Sequence, residues 1–291
     1  MDFFHLLNHY DEVHINNNNF INLYEITKTN KYLFNLFLNK LKEDELLTTL
    51  SFPSNVFCHK NINDVIISLS KNKHFKELKI SFNPGFKLRY IKSLNNLKNK
   101  TKNVYMIFYF LNKGVLTNQD LLIFLKTHLI DEIYINYFML PTLTNELIKN
   151  NNITNLYFFD EEFSIDYNLI NSLSKNTSIK RLDFSLCRNS EIIGIDSLKE
   201  IIKNNNTINI LDLTGKHIDS FFIFDIMHDK NNITTLLLDN CKIIDVFPFL
   251  QIIRDNEQLI KLSLVNNPIK DVEYLIDEVE NNVDRKFDLI I

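Results

Sequence analysis

At 291 residues and 34.5 kDa the chain can bury a large core, and a net charge of -4 with 23% charged residues argues against a general nucleic-acid binder. Hydrophobic residues make up 45%, yet the longest apolar run, Val104 to Leu111, is strand-sized and far short of the ~20 residues a membrane span needs. Cys58, Cys187 and Cys241 are too few for a disulfide framework and not in Cys-x-x-Cys spacing, so reduced thiols in a cytoplasmic compartment are expected.

Alanine and tryptophan are absent and glycine occurs four times, whereas Asn, Ile, Lys and Phe abound. The missing residues use GC-rich codons and the abundant ones AT-rich codons. An AT-rich genome is therefore expected, that of a protist, an intracellular bacterium or a large DNA virus.

The N-terminal stretch MDFFHLLNHYDEVH has no basic region and no small-residue cleavage site, so no secretory signal is expected. Residues 1–20 are expected to form a capping helix or segment, followed by one continuous domain over 21–291. His5 and His9 have a spacing compatible with metal, but no third ligand accompanies them, and no metal site is expected.

From there the chain repeats one pattern, apolar-x-x-apolar-x-apolar. The clear copies centre on Leu78, Ile133, Leu156, Leu182, Leu211, Leu236 and Leu262, and weaker ones on Leu23, Leu50, Ile107 and Phe287. Successive centres lie 27, 28, 29, 26, 23, 26, 29, 25, 26 and 25 residues apart. Five residues after a centre stands Asn or Cys, at Asn55, Asn83, Asn112, Cys187, Cys241 and Asn267. A small polar side chain pointing inward there can bond backbone groups of the neighbouring copy, making a ladder. Lys28, Phe138, Glu161 and Lys216 stand at that position in other copies and are expected to break it.

Each strand is followed by a segment with helical apolar spacing. Asp166, Asp196, Asp219, Asp245 and Asp271 precede these segments as expected N-caps. The segments end in Asn-rich stretches, and asparagine is expected to take the left-handed position that closes a helix.

This pattern resembles the leucine-rich repeat family, specifically its longer, helix-containing class typified by ribonuclease inhibitor. The resemblance runs over about 45 to 291, and more weakly over about 15 to 44. It implies an α/β solenoid or horseshoe of about 10–11 repeats, with a parallel sheet on the concave face and helices on the convex face. The chain departs from that class in lacking alanine, where such helices usually carry small residues facing the strands. The motif specifies fold and says almost nothing about function.

If that fold holds, the strand residues between the apolar ones face a partner. Those expected on the concave face are Phe108, Phe110, Tyr134, Tyr157, Phe159, Asp183, Asp212, Leu237 and Asp239. The aromatic ones either make a contiguous interaction patch or turn into the core beneath an irregular turn or a loop. Asp183 and Asp212 are expected to supply a polar rim for a basic partner.

Residues 70 to 103 hold ten Lys or Arg against one acid, a solvated face or a site for acidic surfaces. Residues 271 to 291 reverse this, with seven acids against two bases, and a monomer is expected over an end-to-end homodimer. The glycines are isolated, so neither a phosphate loop nor a dinucleotide fingerprint can be built. Asp160, Glu161 and Glu162 read as a solvated acidic turn. The chain is expected to be a non-enzymatic, cofactor-free protein that binds another protein, identity unknown, through the concave face. A viral or intracellular-microbial source would make a host-directed effector its natural role. Regulation of an enzyme, as an inhibitor or a GTPase-activating type of scaffold, is the alternative, and binding of acidic surfaces through 70 to 103 a third.

Overall fold

The computed structural model describes residues 12–14, 31–53, 62–81, 105–109, 125–126, 130–135, 140–159, 164–188, 191, 194–228, 232–282 and 286–291. The chain forms two compact units, Met1–Tyr134 and Ile135–Ile291. Both are α/β, built from parallel strands with helices between them.

In the first unit β1 (Glu12–His14), β2 (Thr49–Pro53), β3 (Glu77–Ser81), β4 (Tyr105–Tyr109) and β5 (Glu132–Ile135, its last residue already in the second unit) pair in chain order, all parallel. Helices α1 (Lys31–Glu43) and α2 (Ile62–Leu69) pack on each other. Within the segment expected to cap the chain, Glu12–His14 is a strand, with Val13 paired to Leu50. The weak centre at Leu23 lies outside the described residues.

The second unit continues with α3 (Leu140–Leu147), β6 (Asn155–Phe158), α4 (Tyr167–Lys175), β7 (Arg181–Asp183), α5 (Ser197–Asn204), β8 (Ile210–Asp212) and α6 (Ser220–His228). It ends with β9 (Thr235–Leu237), α7 (Phe247–Asp255), β10 (Lys261–Ser263), α8 (Glu273–Asn282) and β11 (Asp288–Ile290). Strands β6 to β11 pair in chain order, all parallel. Each helix from α3 to α8 packs on the next.

The apolar pattern maps onto three buried rows. Leu156, Leu182, Leu211, Leu236 and Leu262 pair in direct register and are wholly buried. Two residues on, Phe158, Phe184, Leu213, Leu238 and Leu264 share that face, and the Phe158 and Phe184 rings stack at 4.8 Å. Three residues before the leucines, Ile153, Ile179, Ile208, Ile233 and Leu259 complete the core. Helix residues such as Leu173, Ile201, Ile226 and Phe249 are buried with them. Burying one such side chain contributes on the order of 1.5–3 kcal/mol.

Two centres differ from the sequence expectation. Leu78 pairs with Met106, not Ile107, and Phe108 pairs with both Ile80 and Ile133, which are fully buried. Residues in direct register share a face, and a one-residue slip exchanges the faces of a strand. The register thus sets Phe108 beside Ile80 and Ile133, and Tyr109, not Phe108, is the residue paired with Tyr134. At the last strand Leu289, not Phe287, pairs with Leu262.

The helix ends also work differently. Asn176, Asn205 and Asn256 follow α4, α5 and α7 with φ of -71°, -100° and -98°, so none takes the left-handed conformation. Their side chains do the work instead. In Asn205, Oδ1 accepts from the N–H groups of Thr207 (2.7 Å) and Ile208 (2.9 Å), while Nδ2 donates to the carbonyls of Leu173 and Asn176 in the preceding turn. Asn72 and Asn176 make the same four kinds of bond, to Leu41 and Asp44 and to Leu147 and Asn150 respectively.

At the helix starts Asp166 caps α4, accepting from Leu169 N–H at 2.8 Å, and Asp219 and Asp245 accept from Phe221 and Phe247 N–H at 2.7 and 3.0 Å. Asp196 is αR and makes no side-chain cap bond, and Asp271 takes the left-handed conformation (φ 57°) in place of capping through its carboxylate.

Candidate functional site

The strand face opposite the leucine rows is the candidate site of the second unit. Register aligns Tyr157, Asp183, Asp212, Leu237, Ser263 and Ile290 in one row across β6 to β11. Strand side chains alternate, so the residues two positions earlier share this face: Asn155, Arg181, Ile210, Thr235, Lys261 and Asp288. Asp183, Asp212 and Ser263 of the first row are buried, whereas every residue of the second row is at least partly open to solvent. So are Phe159, Ser185, Thr214, Asp239 and Val265, which follow the strands.

In the middle of this face two aspartates stand in direct register on neighbouring strands, a pairing that repels unless a cation joins it. Arg181 supplies the cation. One guanidinium nitrogen lies 2.7 Å from both Asp183 Oδ2 and Asp212 Oδ2, and Nε lies 3.0 Å from Asp183 Oδ2. The guanidinium also stands 5.4 Å from the centre of the Tyr157 ring, where the ring quadrupole attracts it. Asp183 Oδ1 accepts from Ser185 N–H (2.9 Å) and Ser185 Oγ–H (2.6 Å), and Asp212 Oδ1 accepts from Thr214 N–H (3.1 Å).

One cation against two carboxylates leaves a net negative cluster. Burial, and then the charge of Asp183, hold Asp212 above the usual carboxylate range, against hydrogen bonds from Thr214 and the charge of Arg181. Burial works against the charge of Arg181, but the Asp183 hydrogen bond and the surrounding charges outweigh it and raise its pKa. Asp183 and Asp212 are 2% and 5% exposed. They are thus part of an internal network, not a free acidic rim. On the next strands Asp239 Oδ1 accepts from Ser263 Oγ–H (2.6 Å) and Val265 N–H (2.9 Å), bridging two turns.

Tyr134, Tyr157 and Phe159 are half-buried, with Tyr134 in the first unit and the other two in the second. Phe110 lies outside the described residues, as do Asn55, Asn83, Asn112, Cys58, His5 and His9. The sequence reading missed Arg181 and the row it belongs to. The signal was present in Arg-Leu-Asp at 181–183 followed by Leu-Asp at 211–212, because in-register acids on one face call for a cation.

Beneath the face runs a second line of polar contacts. Cys187 Sγ–H donates to Phe158 C=O (3.4 Å) and Cys241 Sγ–H to Leu213 C=O (3.2 Å). Asn267 Nδ2 donates to Leu238 C=O (2.7 Å), and its Oδ1 accepts from Cys241 N–H (2.8 Å). Lys216 does not interrupt the line. It is 2% exposed, and its ammonium donates to the carbonyl of Cys187. Burial holds its pKa below the usual lysine range. The positions expected to break the line at Lys28, Phe138 and Glu161 lie outside the described residues. Burial pushes the Cys241 thiol up to about 11, which leaves it protonated and a poor nucleophile.

Among the described residues no group of three His, Cys, Asp or Glu could hold a metal, and no helix is long and apolar enough to cross a membrane. No protein-family model matches the chain, and no curated protein is found to be similar to it.

Proposed function

We propose that this chain is a leucine-rich-repeat-type recognition protein, non-enzymatic and cytoplasmic, whose repeats curve into a horseshoe and whose open strand face binds another protein. The observation that carries the reading is the row from Asn155 through Arg181, Ile210, Thr235 and Lys261 to Asp288. All six are accessible, in register and mounted on a bonded frame. Side chains fixed before association lose little conformational entropy on binding. The buried thiols of Cys187 and Cys241, which form no disulfide, suit a reducing compartment.

The test is capture of a partner by wild type and by an Ile210→Ser/Thr235→Arg/Leu237→Ser variant, with urea unfolding of both. Loss of the captured protein at an unchanged unfolding midpoint supports the reading. Retention of the partner by the variant refutes it.

A further inference from the structure

The most exposed large apolar side chains of the second unit include an aromatic set on its helices. Phe221 near the start of α6, Phe247 at the start of α7 and Tyr274 near the start of α8 are 62%, 62% and 55% exposed. These three helices pack consecutively, and the Phe247 and Tyr274 rings stack at 6.4 Å. Ile244, also exposed, is tied to the same edge by the bond from Lys270 N–H to its carbonyl (3.0 Å). Nothing in helix formation or core packing asks for three exposed aromatics here, and adjoining exposed aromatics mark interaction surfaces.

The charge around them selects the partner. Asp219, Asp245, Asp271, Glu273 and Asp277 lie within three residues of one of the three aromatics, and the exposed cations Lys242 and Lys270 stand five and four residues before Phe247 and Tyr274. Asp219 and Asp245 recur 26 residues apart, each two positions before its phenylalanine. One oxygen of each takes a helix N–H group, so these helix starts do not offer themselves to an anion. An aromatic face beside a carboxylate favours an ammonium or guanidinium group.

We propose that the Phe221–Phe247–Tyr274 edge is a second docking surface, for a partner protein segment that carries lysine or arginine among apolar residues. Aliphatic side chains of the segment cover the rings, and its cations lie over the ring faces beside the carboxylates. The strand face plays no part in this contact, so failure of that reading leaves this one standing.

The probes are an amphipathic lysine–leucine peptide and its glutamate–leucine counterpart, titrated into the full chain by fluorescence anisotropy at low and high salt. Two variants accompany wild type, Phe247→Ser/Tyr274→Ser and Asp245→Asn/Asp271→Asn. The second preserves the fold, because asparagine caps a helix and tolerates a left-handed backbone nearly as well as aspartate. The expected result is binding of the lysine–leucine peptide, weakened by salt and weakened roughly tenfold or more by each variant, as loss of a hot-spot pair implies. Unchanged affinity in either variant overturns the proposal, and so does equal binding of the glutamate–leucine peptide. Sedimentation of wild type as a dimer that Phe247→Ser/Tyr274→Ser dissociates would assign the edge to a second copy and overturn it as well.

Discussion

The side-chain amide of Asn205 donates to the main-chain carbonyl of Asn176 at 2.9 Å, and the amide of Asn176 donates in turn to the carbonyl of Asn150 at 3.2 Å. Asn176 and Asn205 thus each close their own turn and bond it to the one before. All three are 2% exposed, so water cannot replace the bonds. Asn205→Ala would leave the carbonyl of Asn176 and the N–H groups of Thr207 and Ile208 without this partner, and Leu173 C=O with only the Asn176 N–H at 3.3 Å. At about 1 kcal/mol or more for each orphaned group, a loss of roughly 3–4 kcal/mol is expected. Asn256→Ala should cost less, because Asn256 is only half-buried and reaches back to Met227 C=O at 3.2 Å. Urea unfolding of the two variants gives the ranking, and equal losses would show that burial is not what makes these bonds matter.

The Arg181 cluster makes a pH-dependent prediction. Asp212 is held above its ordinary value of 3.8, first by burial and then by Asp183. A carboxyl with a raised folded-state pKa binds its proton more tightly in the native state than in the unfolded one. Its stabilising contribution is complete below pH 3.8 and is lost as pH rises through the raised folded-state value. Wild type should therefore lose stability relative to Asp212→Asn as pH climbs from about 4 toward neutrality, and the two should run parallel outside that window. At neutral pH Asp212→Asn should cost under ~1 kcal/mol or stabilise, because Asp183 keeps its pairing with the guanidinium. Arg181→Met leaves both acids buried without their cation and should cost about 3 kcal/mol at neutral pH, partly recovered on acidification. Urea midpoints across pH decide this, and a pH-independent difference between wild type and Asp212→Asn would exclude it.

Much of the fold can be read from spacing, and the failures have identifiable causes. Leu182 and Leu262 stand out because polar residues flank them on both sides, and Leu156, Leu211 and Leu236, with one polar neighbour each, are fixed by the repeat spacing. Tyr105 to Tyr109 are apolar at every position, and no alternation marks which face is inward; the one-residue slip at Met106 follows. At the helix ends the asparagines were visible, but residue type does not tell whether backbone or side chain satisfies the chain. The bond from Asn205 to Leu173 becomes evident only when two turns are stacked. Arg181 was hidden for another reason: its role arises from Asp212, 31 residues away, through register.

Lys216 places an ammonium where neighbouring turns use Cys187, Cys241 and Asn267. Its pKa is depressed below 10.5, chiefly by burial, so at neutral pH the charged form is less stable in the native state than in the unfolded one. That penalty disappears as pH rises from the lowered folded-state value toward 10.5, and stability attributable to this group should rise over that window. Lys216→Asn puts a neutral donor of the Asn267 kind at the position. It should stabilise the protein by about 1 kcal/mol at neutral pH and flatten the alkaline dependence. A destabilised variant would mean that the ammonium's bond to Cys187 C=O outweighs its desolvation.

Thiol labelling reports on the same frame from within. Cys241 is 1% exposed and its thiol is pushed up to about 11, so in the native protein at about pH 8 both access and thiolate are lacking. Maleimide should label neither Cys187 nor Cys241 until the turns around them open. When opening is fast compared with labelling, the rate follows the open population, and each 1.4 kcal/mol of lost stability speeds labelling about tenfold. If Asn205→Ala removes roughly 3 kcal/mol from the unit as a whole, labelling of both cysteines should accelerate about a hundredfold. Were only Cys187 to accelerate, in the turn before Asn205, the ladder would stabilise each turn locally rather than the unit as one cooperative body. Peptide mapping of the labelled protein separates the two outcomes, because the two cysteines lie 54 positions apart.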